Sequence, residues 1–261
     1  MSAIGMSSQT DEQRLLFEQE AVRIVDKATE QNLTLRLLGS LAFHLHCPEY
    51  NRLQKELGRA YTDIDYAGYK AQAARIEKFL SQMGYREDLE VNTLFAGERL
   101  IYNHPSNGLH IDIFFDKLNF CHEISWTDRL EVDQPTIPLA EMLLEKMQIV
   151  RINEKDIIDT MILLLEHPLG DHDHETIHIA RISKLCARDW GLWRTITMNL
   201  RKVAQLGQAY EQLTVEEKER LTSQVDMAFE WINVEPKTFS WKMRSKIGDR
   251  VKWYQEVDDI S

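Results

Sequence analysis

Thr62-Asp63-Ile64-Asp65-Tyr66 alternates acidic and apolar side chains, as a β-strand with one face in a core does. On such a strand Asp63 and Asp65 point the same way and Ile64 points into the interior. Two carboxylates on one face repel unless a cation lies between them. Upstream, Leu33 to Leu38 is a short apolar run ending in Gly39-Ser40, the pattern of a buried strand followed by a turn. Downstream, Asp112 interrupts the apolar run Ile111-Asp112-Ile113-Phe114-Phe115. Three carboxylates on neighbouring strands make a hard-oxygen set suited to magnesium, an ion that works with phosphates. Asp116 competes with Asp112 for the third place if that strand continues.

The elements around these strands follow from periodicity. Asp11 to Gln31 has the apolar spacing of an amphipathic helix, and Lys70 to Met83 repeats it, with Gly84 as a stop. Leu41 to Leu45 can begin a helix behind the first strand. Arg99–Asn103 and Leu109–Phe115 read as a hairpin joined by Pro105-Ser106-Asn107-Gly108, and a further strand is expected near Phe120–Trp126. Beyond Pro135 and Pro138 no strand is expected. Helices are predicted over Ala140–Val150, Asp156–Glu166, Glu175–Ala187, Leu192–Gln205, Val215–Ile232 and Phe239–Tyr254, with a break at His167-Pro168-Leu169-Gly170. The fold class is α+β: a mixed β-sheet flanked by helices, then an α-helical C-terminal region. The expected domains are 1–134, α+β and catalytic, and 135–261, helical.

Bulk properties narrow the function. The 261 residues suffice for one large or two modest domains, and 43% hydrophobic with 28% charged residues is a soluble balance. The net charge of −11 disfavours nucleic acid, whose binding rests on Lys and Arg. Three scattered cysteines, Cys47, Cys121 and Cys186, suggest no disulfide framework and a cytoplasmic setting. The small, polar start from Met1 to Thr10 does not read as a signal peptide, and no apolar run reaches membrane-spanning length.

In chemical terms, Gly39 lets the backbone approach a phosphate, and Ser40 adds a hydroxyl and an N–H at a helix start. Asp63, Asp65 and Asp112 would be at once the metal ligands and the catalytic carboxylates, with Asp112 helping to hold a second ion or activating the attacking hydroxyl. Two magnesium ions are possible. The bland alternative is that Asp-x-Asp is a surface turn and Gly-Ser an ordinary turn.

This order of elements resembles the polymerase-beta-like nucleotidyltransferase superfamily: Gly39-Ser40 after a strand, Asp63-Ile64-Asp65 on the next, Asp112 on a later one. The segment from Leu139 to Lys146, followed by Lys155-Asp156-Ile157-Ile158-Asp159, is similar to the lysine helix and Lys-Asp-x-x-Asp helix of minimal nucleotidyltransferases and AbiEii-type toxins. The likeness spans roughly Leu33 to Leu165, with an inserted helix or loop over His46–Tyr61. It implies transfer of a nucleoside monophosphate from a nucleoside triphosphate, with ATP expected, to an acceptor hydroxyl, releasing pyrophosphate. The acceptor could be a small molecule, a protein or a tRNA, and a cognate antitoxin is a possible partner. Lys146 and Asp156 are expected to face the nucleotide, and Lys146→Ala to leave the melting temperature nearly unchanged. The rival reading is a nonenzymatic nucleotide-sensing or protein-interaction module on the same scaffold.

Two further clusters have functional and bland readings. His167, His172, His174 and His178 could bind a transition metal, with His174 and His178 one helical turn apart, and would suggest a metal phosphohydrolase. A solvated loop before a helix explains them more simply. Lys237, Lys242, Arg244, Lys246, Arg250 and Lys252 form a basic stretch that could touch RNA. The stripe Phe239, Met243, Ile247, Val251 and Tyr254 favours an amphipathic helix with a solvated basic face.

Overall fold

A computed structural model describes residues 9–94 and 97–256. Residues 1–8, most of the small polar start, lie outside the described residues. Among those described, the chain forms two units, one of residues 9–46, 54–117 and 125–137, the other of 47–53, 118–124 and 138–256.

The elements in chain order open with α1 (Asp11–Glu30), β1 (Leu35–Leu38), α2 (Gly39–His46), the short α3 (Arg52–Glu56), β2 (Ile64–Gly68) and α4 (Ala73–Gln82). Next come β3 (Arg86–Glu87), α5 (Leu89–Leu94), β4 (Arg99–Asn103), β5 (His110–Phe115), β6 (Lys117–Asn119) and β7 (Glu123–Ser125). The remainder is α6 (Leu139–Met147), α7 (Glu154–Glu166), β8 (Leu169–Gly170), β9 (Ile177–His178), α8 (Ile179–Arg188), α9 (Trp190–Ala209), α10 (Val215–Val234) and α11 (Phe239–Ser245). This is the expected α+β class.

The first unit is built on a five-stranded mixed sheet in the order β1-β2-β5-β4-β3. β2 and β5 run parallel; the other neighbours are antiparallel. Thr10 starts α1 with a capping box to Gln13, which satisfies donors the first helical turn leaves open. Ile24 and Val25 of α1, Ile64 and Tyr66 of β2, and Ile111 and Ile113 of β5 are fully buried. The Tyr66 hydroxyl donates to the Ala21 carbonyl at 3.0 Å, so the one polar atom of that large buried ring is paired. At the β1 edge, Leu37 takes a chain segment alongside it: its N–H donates to the Pro135 carbonyl, and the Ile137 N–H donates to the Leu37 carbonyl, each at 2.9 Å.

The second unit is mostly helical, but two expectations for it fail. Strands do occur beyond Pro135, because β8 and β9 pair in parallel over two residues each. The predicted helix Phe239–Tyr254 stops at Ser245, where Gly248 adopts φ +60° and a single 3-10 turn follows. Phe239, Met243, Ile247 and Val251 are exposed. Residues Cys47, Cys121 and Cys186 are free and buried, in keeping with the absence of a disulfide framework in the sequence.

His122 ties this unit's core together. Its backbone N–H donates to Gln148 Oε1 at 3.0 Å, and its Nε2 lies 2.9 Å from Thr195 Oγ1. Thr195 already donates its single hydroxyl hydrogen to the Gly191 carbonyl and accepts from Trp253 Nε1. Nε2 of His122 therefore carries the proton and donates. Burial holds the imidazole below its ordinary pKa, against the opposing pull of Asp189. A lowered pKa means the unfolded chain binds the proton first as pH falls. The stabilising contribution is complete above the ordinary histidine value of about 6.5 and is lost as pH drops toward the folded value. His122→Gln is expected to flatten the pH dependence of urea midpoints measured between about pH 7.5 and 5; an unchanged slope would show that His122 does not contribute to it.

Candidate functional site

The sheet register sets the site. In the parallel pair β2–β5, Asp65 stands directly opposite Asp112, flanked by Ile64 opposite Ile111 and Tyr66 opposite Ile113. Equivalent positions on neighbouring strands share a face, so the two aspartates are side by side while their neighbours fill the core. Asp63 immediately precedes β2, where the Thr62 hydroxyl donates to its Oδ1 at 3.1 Å. Asp63 acts electrostatically on Asp112, so all three acids belong to one neighbourhood.

Gly39 completes this face. It links β1 to α2 with φ +70°, and a Cβ added there would lie 2.3 Å from Asp65 Oδ2. Only glycine admits both the left-handed backbone and so close a carboxylate. Ser40 follows in the first turn of α2, buried, with its carbonyl accepting from Gln54 Nε2 of α3 at 3.1 Å. The long segment between Ser40 and Asp63 thus contains α3, which is bonded to the turn that the sequence singles out.

Asp116 plays another part. β5 ends at Phe115, Asp116 turns the chain at φ +60°, and its Oδ1 accepts the Lys70 N–H at 3.0 Å. It caps a turn, whereas Asp112 is the acid in register with Asp65.

The residue that sequence reasoning missed is Arg99, on β4. Ile101 is opposite Asp112, so Arg99 is the diagonal neighbour on the same face. Arg99 Nε donates to Asp112 Oδ1 at 2.9 Å and to Oδ2 at 2.8 Å, and Nη2 also donates to Oδ2. The guanidinium carbon lies 5.2 Å from the centre of the Phe114 ring. Burial pushes Asp112 up and prevails over the downward pull of Arg99 and His110. For Arg99, burial acts downward, but its bonds with Asp112 and the charges of Asp112, Asp65 and Asp63 raise it above the ordinary value. The one available signal was alternation: Arg99 has the parity on its strand that faces the acids, but only the β4–β5 register reveals that.

Lys146 and Asp156 lie in the second unit and pair with each other at 3.2 Å. Lys146 also lies 3.2 Å from Glu145 and 3.5 Å from Asp159, an acid with no solvent exposure. Its sequence neighbours thus make Lys146 the counter-ion of a buried acidic group, a setting in which its removal is expected to cost stability.

The histidine set is not helical. His178 belongs to β9, α8 begins only at Ile179, and His172 and His174 are exposed. His178 Nδ1 lies 3.3 Å from Asp173. Among the described residues, no group of three or more His, Cys, Asp or Glu side chains is arranged to hold a metal. In the acidic site itself Asp65 shares its sheet face with Asp112, which is bonded by Arg99, and Asp63, just before β2, is the further carboxylate nearby. That donor set suits one magnesium ion, which characteristically takes one or two carboxylates and completes its shell with phosphate and water.

No protein-family model matches the chain, and no curated protein matches it. Among solved structures, the solution structure of the antibiotic-resistance factor ANT(2'')-Ia is similar at a TM-score of 0.41 and 14% identity, covering 68% of this chain and 96% of that one. No helix among the described residues is long and apolar enough to cross a membrane.

Two substitutions separate site from scaffold. Gly39→Ala should cost about 1–3 kcal/mol in backbone strain and displace the Asp65 carboxylate that lies against it, read as a fall in the denaturant midpoint. Lys146→Ala should cost about 3–5 kcal/mol by leaving buried acids unpaired, read as a fall in the denaturant midpoint; a loss below about 1 kcal/mol would show the pairing to be dispensable.

Proposed function

We propose that this chain is a magnesium-dependent nucleotidyltransferase, transferring a nucleoside monophosphate from a triphosphate, with ATP as the expected donor, to an acceptor hydroxyl. The observation that carries the reading is the parallel register of Asp65 with Asp112, with Gly39 held against Asp65. Asp63 and Asp65 hold the ion, and the Gly39-Ser40 turn receives the phosphates. When bound, magnesium neutralises charge on the triphosphate and polarises its phosphorus centre. The rest of the chemistry is positioning, because an in-line phosphoryl transfer needs aligned oxygens more than covalent help.

Each unit then has its own task. The sheet unit carries the acids, while Lys146 and Asp156 secure the helical unit through their buried ion pairs. The acceptor is a hydroxyl of a small molecule, a protein or a tRNA, with tRNA disfavoured by the net charge of −11. A cytoplasmic location agrees with three free, buried thiols.

Pyrophosphate release from ATP and magnesium, assayed against acceptors of each class, tests the activity. Asp65→Asn keeps the shape but removes the counter-charge, and should lower the rate by on the order of 100-fold or more. Magnesium-dependent ATP binding without release, in every acceptor class, would favour the nonenzymatic sensing module. Equal rates in wild type and Asp65→Asn would overturn the assignment.

A further inference from the structure

We propose that Arg99 takes the place of a second metal ion: Asp112 anchors this arginine instead of a cation from solution, and Arg99 presents its charge to the triphosphate. The inference rests on the nucleotidyl-transfer reading and defines its cation count as one ion and one guanidinium.

The geometry supports it in three ways. First, both carboxylate oxygens of Asp112 accept from Arg99, Oδ1 from Nε and Oδ2 from Nε and Nη2. An ion binding there would have to displace a fork-like, multiply bonded contact, among the strongest a carboxylate makes. Second, the side chain of Asp112 is 6% exposed and that of Arg99 22%. The acid is sealed in, while part of the arginine still reaches solvent. A phosphate can therefore meet Arg99 more readily than a hydrated magnesium ion, which sheds water reluctantly, can meet Asp112. Third, Arg99 stands on a strand, diagonal to Asp112 and opposite Phe114, whose ring lies 5.2 Å from its guanidinium carbon. A guanidinium fixed on two sides is preorganised, and a planar donor fork suits phosphate oxygens as well as carboxylates.

Asp112 is thus a positioning residue that acts through Arg99, and Arg99 contacts the substrate. Asp63 and Asp65 remain as the ligands of one ion. Their charges, together with that of Asp112, already favour the protonated guanidinium, so the arginine stays a fixed cation throughout the reaction.

The test counts metal and measures nucleotide affinity separately. Manganese serves as the magnetic probe, titrated with a nonhydrolysable ATP analogue and read by electron paramagnetic resonance and calorimetry. Wild type should bind one manganese per chain. Asp112→Asn should keep that stoichiometry yet bind the analogue roughly tenfold or more weakly, as Arg99→Gln should. Each single variant leaves a buried charge alone, so the double variant Arg99→Gln with Asp112→Asn, which removes both charges, controls for folding. Its loss of affinity should match the singles and not their sum, the signature of residues acting as one unit. Two manganese ions in wild type, the second lost in Asp112→Asn, would overturn this proposal and leave nucleotidyl transfer standing. Failure of the wild type to bind the analogue with manganese, or binding indifferent to Asp65→Asn, would overturn nucleotidyl transfer itself and this inference with it.

Discussion

A carboxylate buried in a sheet must have a positive partner, and the sheet unit is organised around meeting that requirement for Asp112. Removing the charge from water costs several kcal/mol, which only a well-aligned, fully bonded cation offsets. Arg99 meets the condition from the adjacent strand, which requires β4 and β5 to keep their register. A one-residue slip would turn Arg99 to the other face and leave the acid alone. A second register, the parallel pairing of β5 with β2, sets Asp112 beside Asp65. The ion pair holds β4 against β5, the parallel pairing holds β5 against β2, and the acidic face needs both.

The helical unit solves the same problem differently. There a single lysine serves several acids, one of them wholly buried, within two consecutive helices. Arg99 is a fork that bonds both oxygens of one partner; Lys146 is a point charge shared among three. The first arrangement holds direction, which a site for a directional ligand needs. The second holds only charge balance, which a core needs.

How much of this could be read in the sequence depended on range. Period-two alternation around Ile64 and Ile111 identified the strands and their acidic face, because alternation is a local property. The Gly39-Ser40 turn was legible for the same reason, and α1 began at Asp11, where its apolar spacing predicts. Arg99 was not legible, since its partner lies on another strand and only pairing brings them together. Lys146 was visible as a lysine but not as a counter-ion, because no local pattern says that Asp159 is fully buried. At the C-terminal end, an apolar stripe with helical spacing misled: Gly248 breaks the helix, and the stripe faces solvent. The two-residue strands β8 and β9 are too short for periodicity to register.

The sheet's outer strands show a further provision. β1 is four residues long and wholly buried, and on its open side Leu37 is bonded to the passing segment at Pro135 and Ile137. At the opposite edge, β3 offers only Arg86 and Glu87, both charged and exposed. Unpaired strand edges are templates on which chains stack into aggregates, and proteins blunt them with covers, short strands and charge. Here one edge is capped by the chain itself and the other is too short and too charged to recruit a neighbour. The sheet is thereby closed to its own kind along both sides.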